Sequence, residues 1–290
     1  MARTHAQVLS QVGYVHILAV CDSNMAAARE LADRVSAKAT SQIGDVLEET
    51  GVQAVIITTP TTTHAELIER AAGARKHIFV EKPIAANLPD AIRAASAVAA
   101  AGVRCQVGFQ RRYDPAYREV KRAIDAGELG AVEGFRAVSR DAEPPSLTFL
   151  ETSGGLMMDL GIHDLDSARY LVGEVAEVYC VGAVQASPEL AERGLYDAAV
   201  ATLKFENGAL GMVEAGLRTA YGYDVRTEVL GAKGRLHIEM DRRFQLTRYD
   251  ARGGWFDRPR DFGQRFHEAY ADEIRAFAQN VQAGRPVMPD

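Results

Sequence analysis

Residues 54–84 read AVIITTPTTTHAELIERAAGARKHIFVEKPI. Two short apolar runs, Ala54–Thr58 and His77–Val80, have the length and β-branched character of buried strands, and Thr63–Ala72 between them reads as a helix. Parallel neighbouring strands need a crossover of about a dozen residues or more, so this strand–helix–strand run is a βαβ unit. The alternation continues in both directions. Val15–Val20 and Val103–Val107 are strand-like, while Met25–Val35, Ile43–Thr50 and Leu88–Ala101 are helical. Residues 1–108 are therefore expected to form an α/β domain of Rossmann type, a doubly wound parallel sheet with helices on both faces.

After Gly108 the texture changes. A helix over Pro115–Ala126, a strand over Val132–Val138 and a helical stretch over Leu156–Arg169 precede a series of strands: Glu177–Val184, Ala198–Phe205, Ala209–Ala215, Tyr223–Leu230 and Gly234–Ile238. Turn signals such as Glu206–Gly208 and Gly231–Gly234 separate them. Residues 109–290 are expected to form a second, α+β domain with a large, mostly antiparallel sheet.

Bulk properties narrow the function classes. The chain has 290 residues, is 47% hydrophobic and 25% charged, and has room for two domains with a large core. A net charge of -6 and scattered arginines give no field that would draw in nucleic acid. Cys21, Cys105 and Cys180 are odd in number and widely spaced, with no zinc-ligand pattern, and read as reduced core thiols in a cytoplasm. No apolar run has the length of a membrane helix, and the N-terminus lacks signal-peptide order, so neither a membrane nor a nucleic-acid partner is expected.

A dinucleotide fold opens with a strand and a G-x-G-x-x-G or G-x-G-x-x-A turn leading into its first helix. Neither is present here. Met1–Gln7 already reads as the first helix, so the first strand is expected to be missing from the sheet. The strand that follows ends at Cys21–Asp22, and an acidic residue at the end of the second strand is the group that binds the adenosine ribose. Asp22 is that candidate, with helix N-capping as an alternative use of its carboxylate.

Several other residues could carry chemistry. In LMMDLGIHDLDSAR (156–169) a helix would stack Asp159 and His163 on one face at i and i+4, although Asp164 and Asp166 nearby make a solvated face the plainer reading. Glu81–Lys82–Pro83 directly follows a strand, at the sheet edge where doubly wound folds bind ligands. A lysine there can donate to a hydroxyl and polarise its oxygen, or simply remain a solvated charge. In an extended Gln110–Arg112 segment the two arginines would point to opposite sides, so only one can face a cleft. Tyr221 and Tyr223 would share a strand face, and either hydroxyl could meet a substrate or either ring could pack on the sheet. In Thr58–His64, Thr62 or Thr63 could serve as a helix N-cap.

Four motifs in order, VEKPI (80–84), GFQRRYD (108–114), GGLMMDLGIHDLD (154–166) and YGYD (221–224), resemble those of the glucose-fructose oxidoreductase / inositol dehydrogenase / MocA family. The likeness spans nearly the whole chain and is greatest to inositol 2-dehydrogenases. It implies NAD-dependent oxidation of a cyclitol hydroxyl to a ketone, foremost on myo-inositol. Another inositol isomer or an aldose is the alternative within the family, and a non-catalytic ligand-binding relative or fragment is the alternative outside it. The resemblance also implies that Lys82, Asp159 and His163 form the catalytic group, with His163 as the base that accepts the hydroxyl proton. Substrate would meet Lys82, Arg111, Asp159, His163 and Tyr223. Ala2, at the third glycine position of the turn, would lie at the cofactor with Asp22, Thr59, Pro60, His64, Glu81 and Lys82. No metal is implied, since a base suffices for hydride transfer, and Asp159, His163 and Asp166 are the weaker reading as ligands. The family pattern further implies a homo-oligomer of four subunits, a start inside the Gly-rich turn, and an end short of a helix that would follow Pro286–Asp290.

Overall fold

The computed structural model describes residues 1–239, 242–243 and 246–290. The chain forms two units, Met1–Phe109 with Tyr270–Asp290, and Gln110–Ala269. In the first, α1 (Ala2–Leu9), β1 (Ala19–Cys21), α2 (Met25–Val35), β2 (Lys38–Thr40), α3 (Ile43–Leu47), β3 (Ala54–Ile57), α4 (His64–Gly73), β4 (His77–Glu81), α5 (Leu88–Ala101) and β5 (Cys105–Gly108) alternate as βα units require. Local chemistry sets the helix ends. Asn24 accepts from the Ala26 and Ala27 N–H groups to start α2. Asn87 accepts from Asp90 N–H to start α5, whose C-terminal cap is Gly102 at φ +63°.

All strand pairs in this unit are parallel, in two separate pieces. β1 pairs with β2, and β3, β4 and β5 pair in that order, in registers such as Ile56↔Phe79 and Glu81↔Gly108. Among the described residues no strand joins β1 to β3, where this fold class carries a central strand. The gap anticipated from the sequence is therefore visible in the sheet. Burial follows it: Ile78, Phe79 and Val80 of β4 are fully buried, whereas Ala54, Val55 and Ile56 of β3 are half-buried. One face of β3–β5 packs on α4 and α5 through Ile57, Ile68, Ala72, Ile78, Val80 and Ala94.

The second unit contains α6 (Pro115–Asp125), β6 (Val132–Arg140), α7 (Leu147–Ser153), α8 (Ile162–Leu171), β7 (Val175–Ala183), β8 (Ala198–Phe205), β9 (Leu210–Gly216), β10 (Asp224–Gly231), β11 (Gly234–Ile238) and a small hairpin, β12 (Arg248–Asp250) and β13 (Gly253–Trp255). Its six-stranded sheet runs β11-β10-β6-β9-β8-β7, antiparallel except for the β6–β9 pair. In β8 burial alternates strictly, with Ala199, Ala201, Leu203 and Phe205 inward, as expected for a sheet with one covered face. The other face is open, with Tyr179, Val181, Val200, Leu210 and Met212 exposed.

The chain then forms α9 (Phe262–Arg265) and α10 (His267–Gln282). Residues 270–290 belong to the first unit, which corrects the expectation that 109–290 is one domain. Ala271, Ile274 and Phe277 of α10, with Val287, close a core around Val8, Leu9 and Phe79. Beyond them Val107 N–H donates to the Pro289 carbonyl at 3.1 Å. The cysteine expectation is also amended: Cys105 is buried and its thiol is pushed up to about 12, chiefly by burial, but Cys180 lies exposed on β7.

Candidate active site

The carboxyl ends of the parallel strands gather most of the residues expected at the cofactor. Asp22 follows β1 and is exposed; one carboxylate oxygen accepts from Asn24 N–H at 2.8 Å, and the N-cap role falls to Asn24 instead. Thr59 and Pro60 follow β3 and are exposed. Thr63 donates to the Pro60 carbonyl at 2.8 Å, which leaves its oxygen to accept from the Thr59 hydroxyl at 2.7 Å. Glu81 ends β4, and half-buried Lys82 follows it. The first turn of α1 lies at the same edge, because His5 Nε2 reaches Glu81 Oε1 at 2.6 Å. Half-buried Ala2 opens that helix, and its first N–H groups have no intrahelical acceptors.

Two expected cofactor contacts are engaged elsewhere. His64 is buried, with Nδ1 2.8 Å from the Pro83 carbonyl and Nε2 2.8 Å from the Thr59 carbonyl, so its ring donates within the protein. The Glu81 carboxylate is turned to His5 and buried.

In the second unit the segment carrying Asp159 and His163 departs from the regular helix expected. Gly154 (φ +88°) and Gly155 (φ +80°) end α7 in consecutive left-handed conformations, which glycine adopts without a Cβ penalty. A π turn over Met157–Gly161 follows and runs directly into α8. A π turn takes in an extra residue, so Asp159 is rotated from the plain i, i+4 stack, and such turns recur at functional sites. Asp159 is half-buried and His163, in the first turn of α8, is buried.

Asp164 and Asp166 do not make a solvated face. Gln110–Tyr113 is a 3₁₀ turn rather than an extended segment, and both of its arginines reach α8. Arg111 donates to Asp164 at 2.5 Å and to Ser139 at 2.8 Å with both partners of the ion pair buried, which corrects the expectation that it faces substrate. Burial opposes the guanidinium charge, but Asp164 beside it raises its pKa above the ordinary value. Arg112 grips Asp166 through Nε at 2.9 Å and Nη2 at 2.7 Å and lies over the Tyr170 ring. Tyr223 is buried just before β10, and burial pushes its phenol up, while exposed Tyr221 donates to Asp224 at 2.9 Å, so the two do not share a strand face. These anchors of α8 escaped the sequence reading. Their one visible signal was the pairing of an Arg-Arg with an Asp-x-Asp across some fifty residues, as in the 53-residue separation of Arg111 and Asp164.

A parallel nucleotide-type unit with Lys82 beyond β4, followed by a unit built on a mostly antiparallel sheet, is the architecture of a two-unit protein with a Rossmann-type domain. The sequence model of the oxidoreductase family with an NAD-binding Rossmann fold matches residues 1–109, and that of the GFO/IDH/MocA C-terminal domain matches residues 117–237. The chain belongs to the GFO/IDH/MocA family of NAD-binding oxidoreductases. It is 44% identical to scyllo-inositol 2-dehydrogenase (NAD(+)) of Bacillus subtilis over 85% of this chain and 72% of that protein. It is 36% identical to myo-inositol 2-dehydrogenase of Thermotoga maritima, over 97% of this chain and 85% of that one. The crystal structure of scyllo-inositol dehydrogenase from Lactobacillus casei with NAD(H) and scyllo-inositol superposes with a TM-score of 0.92 at 27% identity, covering 99% of this chain and 87% of the other. The residues at the sheet edge fit a dinucleotide: an exposed carboxylate after β1 suits a ribose 2′-hydroxyl, and the open N-terminus of α1 suits a phosphate.

Proposed function

We propose that the chain oxidises one ring hydroxyl of an inositol to a ketone, with myo-inositol as the substrate and NAD as the oxidant. The observation that carries the reading is Lys82 immediately beyond β4, at the ligand edge of the NAD-binding unit, in a chain whose second unit holds Asp159 and His163 at a π-to-α junction. Bound NAD supplies the hydride acceptor. Lys82 donates to the substrate hydroxyl oxygen and steadies its negative charge as the O–H proton departs. His163 takes that proton while the C–H bond gives up its electron pair as hydride, leaving a carbonyl, NADH and a protonated imidazole. Asp159 orients the imidazole or an adjacent substrate hydroxyl, and Tyr223 contributes to the polyol pocket.

A second reading, scyllo-inositol as substrate, draws on the 44% identity to a scyllo-inositol dehydrogenase. Steady-state kcat/KM on myo-inositol, scyllo-inositol and a panel of aldoses, followed as NADH absorbance, decides between them. Turnover of aldoses alone would replace inositol as substrate; NAD binding without turnover of any polyol would make this a ligand-binding relative. We also propose a homo-oligomer of four subunits, supported by the open apolar sheet face, and a cytoplasmic setting, supported by three free thiols. Among the described residues no helix is long and apolar enough to cross a membrane.

A further inference from the structure

Lys82 sits between two buried histidines, one acting on the residue before it and one on the residue after it. On the near side, His5 from α1 donates to Glu81 at 2.6 Å, and the imidazole stands edge-on to Phe79 with ring centroids 5.1 Å apart. Glu81 is also confined from β5. Its register partner is Gly108, where a Cβ would approach Glu81 Oε2 to 3.2 Å and the Phe79 ring to 3.3 Å, so a larger residue there would crowd the carboxylate. On the far side, His64 from α4 places Nδ1 2.8 Å from the Pro83 carbonyl after β4 and Nε2 2.8 Å from the Thr59 carbonyl after β3, with the tautomer setting which of the two receives its N–H. One ring thereby ties together the two loops that bracket the sheet edge.

Stability alone does not account for these side chains. A buried imidazole–carboxylate pair must be desolvated, and apolar residues of similar volume in its place are often as stable or more so. His5 adds to that cost, since its Nδ1 is buried without a hydrogen-bond partner among Phe79 and Tyr270. What the imidazole provides that a leucine would not is a fixed place for Glu81, and through it for the backbone from which Lys82 projects. Reacting groups tolerate little error of position: about 1 Å of misplacement is worth about 10²-fold in rate.

We propose that His5 and His64 are positioning residues for Lys82, His5 through the Glu81 carboxylate and His64 through the Pro83 carbonyl, together holding the lysine backbone at a fixed place on the sheet edge. The inference rests on the reading of Lys82 as the group that handles the substrate oxygen, and its test includes a readout independent of turnover. In His5→Leu and His64→Leu, and in the conservative His5→Gln and His64→Gln, the reactivity of each lysine amine is followed by acetic anhydride labelling and mass spectrometry, with exposed Lys233 as the internal control. The leucine variants should change Lys82 labelling by about tenfold with Lys233 unaltered, and lower kcat on myo-inositol by about 10²-fold while its KM and the NAD Kd stay within about threefold. The glutamine variants, which can still donate, should recover part of both effects. Unchanged Lys82 labelling in both leucine variants overturns the proposal. So does an equal change at Lys233, which would make the histidines supports of the whole fold, and so does a raised KM at unaltered kcat. A parent protein that turns over no inositol refutes the proposed function instead, and the labelling comparison still decides the role of the two histidines.

Discussion

His163→Asn keeps most of the side-chain volume but cannot accept the substrate proton, so kcat should fall by about 10²- to 10⁴-fold with the NAD Kd unaltered; turnover within about threefold of the parent would remove the imidazole from the mechanism. Asp22 makes a separate prediction. Its exposed carboxylate suits a ribose 2′-hydroxyl and repels a 2′-phosphate, so kcat/KM should favour NAD over NADP, and Asp22→Ala should shrink that preference. For Arg111 and Asp164 the expected readout is stability. Arg111→Met leaves a carboxylate buried without its cation and should lose about 3–5 kcal/mol in urea unfolding, while Arg111→Met with Asp164→Leu should regain most of that; equal losses in both would mean the ion pair is not the issue. Asp197 carries a pH signature. Burial raises its carboxyl pKa, but N–H groups of Gln185, Ala186 and Ser187 at 2.7–2.9 Å bring it below the ordinary range. A depressed folded-state pKa stabilises above the unfolded value of about 3.9, and that contribution is lost as pH falls through the folded value. Asp197→Asn should therefore weaken the protein at neutral pH by about 1–3 kcal/mol, with the difference fading below about pH 4. At this scale the sequence revealed strand-end residues such as Asp22 and Lys82, because βα alternation alone fixes which residues follow a strand. It hid Arg111, whose orientation is set by a carboxylate 53 residues away.

Helices α2 and α5 were legible to the residue because asparagine caps and a left-handed C-terminal residue mark their ends locally. The π turn was not, since one extra residue in a five-residue stretch, Met157–Gly161, leaves the apolar spacing of the helix almost unchanged. Strand β2, of three residues, was too short for a period-2 pattern to register. The separation of β1 from β3, by contrast, was read from the absence of a motif, and its consequence is energetic. Among the described residues β1 pairs only with β2 and β3 only with β4, so one edge of each leaves backbone donors and acceptors without strand partners, and Ala54, Val55 and Ile56 stay half-buried. A central strand of about five residues would bury about three large apolar side chains at about 1.5–3 kcal/mol each, comparable with the whole stability of a typical domain, about 5–15 kcal/mol. A version extended by roughly a dozen residues ahead of Met1, a β-branched strand and then G-x-G-x, should melt at a higher temperature and bind NAD more tightly, both from one added element. Calorimetric scans and NAD titrations of the two versions side by side are the check. Identical melting and affinity would show that nothing seats between β1 and β3.

At the scale of the whole chain, the return of residues 270–290 to the first unit did not show in the sequence. The apolar α10 residues Ala271, Ile274 and Phe277 meet Phe79, almost two hundred positions earlier, and Val8 and Leu9, more than 260 positions earlier, and no local pattern encodes such a pairing. The open face of the second sheet raises the opposite question, of apolar residues left exposed among the described residues. Tyr179 and Val181 of β7, Val200 of β8 and Met212 of β9 lie on adjacent strands in matched register, Tyr179↔Thr202, Val181↔Val200 and Thr202↔Met212, and all are at least a third exposed. Charged pairs Glu177–Lys204 and Arg140–Glu214 border them. An apolar centre with a polar rim is the anatomy of a protein interface, and monomers seldom leave so contiguous an apolar face in water. An isologous contact under a two-fold axis uses the same patch on both copies, so the same residues can serve both. Light scattering coupled to gel filtration should therefore give the mass of an oligomer for the parent and of a smaller species for Val200→Lys combined with Met212→Lys. Because both side chains point away from the sheet's own core, the far-UV spectrum should remain that of the parent. A parent that runs as a monomer at every concentration would show that the face is simply solvated, and a double variant with unchanged mass would move the interface elsewhere.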